Sequence, residues 1–123
     1  MINVLAAGAG GFFGCATRYL LSSAIYRHSS ISAIPLGTLA ANILGCFIIG
    51  LVGGYALTKA HLPPALNALI VTGFLGGLTT FSSFSLETYQ LYLDGALLYA
   101  ALNVFIQVVC CLTAVAIGMK IFL

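Results

Sequence analysis

GFLGGLTTFSSFSLE, residues 73 to 87, places glycines, then hydroxyls, then two phenylalanines in the middle of an apolar run long enough to cross a bilayer. Helix propensity argues against a glycine pair followed by β-branched threonines. At membrane depth such a segment bends or unwinds, and irregular backbone survives there only where it is buried in protein or faces water or an ion. How the rest of the chain accommodates that break decides the fold.

Of the 123 residues, 62% are hydrophobic, 5% are charged and none is tryptophan, which defines an integral membrane protein. A crossing takes about 20 apolar residues. The chain therefore has room for four crossings with short connections and none for a soluble domain. Residues 1–123 are expected to form a single four-helix transmembrane domain, a multi-pass protein of the inner or plasma membrane of the cell. A net charge of +2 without a basic run argues against nucleic acid as a partner. No Gly-Lys-Ser/Thr phosphate loop suggests an ATP-driven pump, so any transport is passive or ion-coupled.

The N-terminus carries no basic n-region, so the first segment is expected to stay attached as a true span. For the same reason Phe12-Phe13-Gly14-Cys15 is discounted as a lipoprotein cleavage site. Cys15, Cys46, Cys110 and Cys111 all fall within the spans, none in a metal-ligand spacing, and they read as small buried residues.

Four segments follow from the apolar runs. The first covers Asn3 to Tyr26 and ends at the polar cluster Arg27-His28-Ser29-Ser30. A second follows Pro35, a residue suited to a first helical turn, and runs to Thr58. After the turn at Pro63-Pro64, the third extends from Ala65 to Leu93 and as one unbroken helix would be about 43 Å long, well beyond the hydrocarbon thickness. Asp94-Gly95 closes it, and the fourth runs from Ala96 to Phe122. Basic residues balance across this topology: Lys59 and Lys120 lie with the termini, Arg18 and Arg27 towards the other end. Lysine and arginine bias sets orientation, so the balance points to dual topology, although the free N-terminal amine or the insertion machinery can still decide.

Residues four apart share a helix face, and three segments carry a small or polar stripe at that interval. The first has Ala6, Gly10, Gly14 and Arg18, a track that lets another backbone approach closely and ends in a costly intramembrane charge. In the second the row is Thr38, Asn42, Cys46, Gly50 and Gly54, and in the fourth Asn103, Gln107 and Cys111. Each amide alone can be packing glue; three coincident polar faces suggest a pore. The glycine-threonine break is expected to unwind at Gly76-Gly77 and Thr79-Thr80 and to free carbonyl oxygens, which suit a cation. Phe81 and Phe84 stand on nearly one face beside Thr80, Ser82, Ser83 and Ser85. Such a pair is usually core, but its ring edges carry positive potential and can face a small anion.

Residues 73–87 as a whole closely resemble the third-helix signature of the Fluc/CrcB fluoride channels. Gly37-Thr38-Leu39-Ala40-Ala41-Asn42 resembles the second-helix motif of that family, and Gly10-Gly11-Phe12-Phe13-Gly14 through Arg18-Tyr19 its first. The resemblance implies an all-α, non-enzymatic membrane protein with four transmembrane helices per subunit and a broken third helix. It further implies an antiparallel, dual-topology homodimer with two fluoride pores and a structural sodium ion at the dimer centre. Phe81, Phe84 and Asn42 would line the pore, with Thr38 and Ser83 nearby and Asn103, Gln107 and Cys111 contributed by the fourth helix. Gly76 and Thr79 would offer sodium-binding carbonyls, and Arg18 and Glu87 would lie at a vestibule. The implied activity is passive fluoride export from the cell, with the lipid bilayer and a second copy as the only partners. Two other classes compete. A small dual-topology multidrug exporter would want a carboxylate in its first segments, whereas none precedes Glu87. A non-transporting haem-anchor subunit would want intramembrane histidines, whereas His28 and His61 fall in loops.

Overall fold

The computed structural model describes residues 1–28 and 34–123, and all its regular structure is helical. Four stretches are long and apolar enough to cross a membrane: Ile2–Arg27, Leu36–Thr58, Pro64–Leu93 and Leu97–Lys120. The first belongs to helix α1 (Ile2–His28), which reaches into the expected terminal polar cluster; Ser29 and Ser30 of that cluster lie outside the described residues. Helix α2 (Leu36–Thr58) starts directly after Pro35, which sits at the N-cap rather than within the first turn.

The third span is composite. Pro64 opens the short helix α3 (Pro64–Asn67), which passes into a π-helical stretch, Ala68–Leu75, and then α4 (Gly76–Leu78). Thr79 and Thr80 are extended, and α5 (Phe81–Leu93) resumes the crossing. The break is therefore narrower than expected: Thr79 and Thr80 unwind, while Gly76 and Gly77 stay helical. Close packing explains this. A Cβ on Gly77 would lie 2.7 Å from the Gly11 carbonyl oxygen and 3.0 Å from the Cys15 nitrogen, so this glycine serves backbone approach to α1. Gly10 and Gly14 meet the same segment from α1, with the Phe74 and Leu69 carbonyls against them. The π-helical stretch carries no mark in the apolar pattern, which does not distinguish a widened turn from an ordinary one.

A Schellman motif ends α5: Ala96 N–H donates to the Leu91 carbonyl at 2.9 Å, Gly95 N–H to that of Tyr92 at 3.1 Å, and Gly95 takes φ 75°. Helix α6 (Leu97–Lys120) then packs along α2. Gly50 and Gly54 face the backbone of Val115 and Met119, and Gly118 faces that of Phe47. The two helices run parallel, as second and fourth crossings must. The apolar core is small, with Ala41, Leu75 and Leu78 buried and Leu21, Ile48, Ile70 and Phe74 against it. Thr38, Asn42, Thr80, Asn103 and Gln107 are buried as well. So much interior polarity in so small a bundle demands partners.

Candidate functional site

Extended backbone at Thr79 and Thr80 leaves peptide groups that a helix would have paired. A continuous helix would send the Thr80 N–H to the Gly76 carbonyl; instead it donates to Asn42 Oδ1 at 2.8 Å, and Asn42 Nδ2 donates back to the Thr80 carbonyl at 3.2 Å. One amide side chain thus stands in for the missing turn. Ser83 N–H, which would have gone to the Thr79 carbonyl, donates to Thr80 Oγ1 at 3.2 Å and caps α5. The Gly76 and Thr79 carbonyls are released from these helical partners. Arg18 reaches Thr79 O from α1 with a long contact of 3.4 Å, its other terminal nitrogen lying 3.8 Å from Cys15 Sγ.

Asn42 determines the next link. Because the Thr80 N–H can only donate, Asn42 must present Oδ1 there, and its Nδ2 then also donates to Gln107 Oε1 at 3.2 Å. That acceptor role turns the Gln107 amide, leaving Gln107 Nε2 buried with no hydrogen-bond partner among the described residues. A buried donor without an acceptor costs about 1–3 kcal/mol. Asn42, Gln107, Thr79, Phe81, Phe84 and Cys111 share the wall of one cleft of about 480 Å³, which Gly76 also borders. The two rings are 5.4 Å apart at 57°, Phe84 half-buried and Phe81 79% exposed. Amide side chains and two aromatic rings line the cleft, with no fixed charge among its lining residues.

The remaining expected residues line up beyond it. Thr38 Oγ1 donates to Glu87 Oε1 at 2.7 Å, and the buried Glu87 Oε2 has no partner among the described residues. Asn103 Nδ2 donates to Thr88 Oγ1 at 2.8 Å and Thr88 in turn to the Phe84 carbonyl at 2.7 Å, leaving Asn103 Oδ1 unpaired among the described residues. Ser83 Oγ accepts from Thr80 Oγ1 at 3.1 Å. Thr88 was not among the residues the sequence singled out. Its spacing of four from Phe84 was the available signal. The cysteines need a correction: Cys15 is exposed and the other three only half-buried, because the seams they flank are filled by backbone and amides instead.

A four-span membrane protein with a broken helix and a lined, uncharged polar row has the build of a membrane conduit. The chain belongs to the family described as CrcB-like protein, Camphor Resistance (CrcB), whose model matches residues 5–119. Among its relatives, the fluoride-specific ion channel FluC of Geobacter sp. (strain M21) is 50% identical over 90% of this chain and 89% of that protein. Proteins of the same name from Citrifermentans bemidjiense and Ruminiclostridium cellulolyticum are 50% and 42% identical, over 90% and 96% of this chain and 89% and 90% of theirs.

Proposed function

We propose that this chain is a fluoride-selective channel that lets the anion leave the cell passively and so protects against its toxicity. The observation that carries this reading is a cleft lined by Gln107 and the Phe81 and Phe84 rings, where the buried Gln107 Nε2 has no hydrogen-bond partner among the described residues. Fluoride surrenders tightly held water to enter a narrow path, so the wall must return stabilisation. A fixed positive charge would hold the ion too firmly to conduct; neutral donors and ring edges avoid that trap. Thr38, Ser83, Asn103 and Cys111 extend the polar row, and Arg18 and Glu87 serve its approaches. The family names of the relatives support the choice of ion.

The open side of the cleft supports assembly with a second copy. Phe81 and Gly76 are exposed in one copy, and a second, antiparallel copy would cover them. The freed Gly76 and Thr79 carbonyls fit a hard cation such as sodium, which takes oxygen ligands, and the long Arg18 contact leaves Thr79 O a second lone pair. Two copies of that pair would hold a structural ion, whose contribution is to tie the two breaks together.

The test is efflux from liposomes containing the purified protein, fluoride against chloride. Fluoride should leave and chloride should not. Gln107→Leu, which keeps bulk and removes the donor, should slow fluoride about tenfold to a hundredfold. Equal efflux of the two halides, or an unaffected Gln107→Leu protein, would refute the reading.

A further inference from the structure

The seam between α2 and α6 repeats with a constant register. An offset of 65 residues relates Gln107 to Asn42, where the side chains hydrogen-bond at 3.2 Å. The same offset relates Val115 to Gly50 and Met119 to Gly54, where a Cβ on either glycine would lie 3.0 Å from the opposing Cα. Cys111 and Cys46 share it and fall between the hydrogen-bonded turn and the turns where the backbones touch. The shared register sets Cys46 opposite Cys111 across the seam, and Cys111 Sγ points at Gln107 Oε1 at 3.9 Å. Both cysteines are free, and both line the cleft that holds Phe81, Phe84 and the Gln107 amide.

We infer that Cys46 and Cys111 together form a two-thiolate site for a soft monovalent cation, Ag⁺ or Cu⁺, on the wall of the anion cleft, and that filling the site closes the cleft to anions. Thiolates select soft metals. These d¹⁰ ions are satisfied by two sulfur ligands, so a pair suffices where no group of three or more His, Cys, Asp or Glu comes together among the described residues. Binding breaks two S–H bonds and forms two metal–sulfur bonds, and both protons leave to water with no change in oxidation state. Two neutral thiols become a bis-thiolate complex carrying one net negative charge. That charge stands beside the Gln107 amide and the rings, in low-dielectric surroundings where like charges repel strongly. Anion passage is then opposed by electrostatics as well as by the bulk of the ion.

The inference rests on the proposed conduction only for its transport readout; binding is measured separately. Protein carrying Cys15→Ala and Cys110→Ala retains only the candidate pair and is titrated with Ag⁺ in chloride-free buffer. Bound silver is read by elemental analysis after gel filtration and by ultraviolet thiolate-to-metal absorption. One silver per chain is expected, lost when Cys46→Ser or Cys111→Ser is added, with Cys46→Ala as the second variant should the serine disturb assembly. In liposomes, Ag⁺ should cut fluoride efflux at least about tenfold, and Cys46→Ser should remove that sensitivity. Stoichiometric binding that survives loss of either thiol overturns the site, and full occupancy with unchanged efflux overturns its effect on the cleft. Silver binding that needs both thiols in a protein with no fluoride efflux supports the metal site and sinks the conduction reading instead.

Discussion

Two seams hold this bundle, and they are built from opposite materials. Between α1 and the leading half of the third span, Gly10, Gly14 and Gly77 bring backbone against backbone, and the helices meet without a buried polar side chain between them. Between α2, α5 and α6, glycines close only one end of the contact, at Gly50, Gly54 and Gly118. Its other end is filled by Thr38, Asn42, Asn103 and Gln107, each of them buried. In lipid, apolar side chains gain nothing by leaving the bilayer, so close contact and hydrogen bonds drive association. The first seam uses close contact and leaves nothing over. The second uses hydrogen bonds and leaves Glu87 Oε2, Asn103 Oδ1 and Gln107 Nε2 without partners among the described residues, which a purely structural seam has no reason to tolerate.

The comparison breaks most decisively at the dry seam. In Gly14→Val the new Cβ would strike the Phe74 carbonyl oxygen, and both neighbours are backbone that cannot swing aside. Overpacking of this kind costs about 3 kcal/mol or more in a bundle with little core, so the expected outcome is loss of the monodisperse peak in gel filtration. At the polar seam, Asn42→Ala strands the Thr80 N–H and carbonyl together, each worth about 1–3 kcal/mol, and lowers the thermal midpoint. It also releases Gln107 Oε1, so fluoride efflux should fall about a hundredfold, more than stability alone explains.

The aromatic pair separates the two roles further. Phe81→Ile and Phe84→Ile keep bulk while removing the ring edge, so each should assemble normally and lose fluoride efflux by about tenfold or more. Variants that assemble and conduct like the parent would reduce the rings to packing. Gly53 supplies the smallest effect: a Cβ there meets nothing within 4 Å. Gly53→Ala, on the same helix as Gly50 and Gly54, should leave efflux unchanged and raise the thermal midpoint slightly, given a helix-propensity gain of at most about 1 kcal/mol. A large loss would mean that a second surface, such as a partner copy, lies against it.

The membrane class, the four spans, the interrupted third span and the need of Asn42 for hydrogen-bond partners were legible in the sequence alone. They rest on local quantities: the length of apolar runs, the poor helix propensity of residues 76–80, and the cost of an amide at membrane depth. The periodic stripes also told which face of each helix was special. Only the tertiary structure decided which stripes meet. It set α1 against the third span and α2 against α6, confined the unwinding to Thr79-Thr80 while Gly76-Gly77 stayed helical, and paired Thr38 with Glu87 and Asn103 with Thr88. The physical reason is that a glycine can end a helix or admit another backbone, and an amide can bond to any donor or acceptor within reach. Residue type states what each group needs, and only packing brings the particular neighbour that supplies it, as when Asn42 takes the place of a helical turn at Thr80.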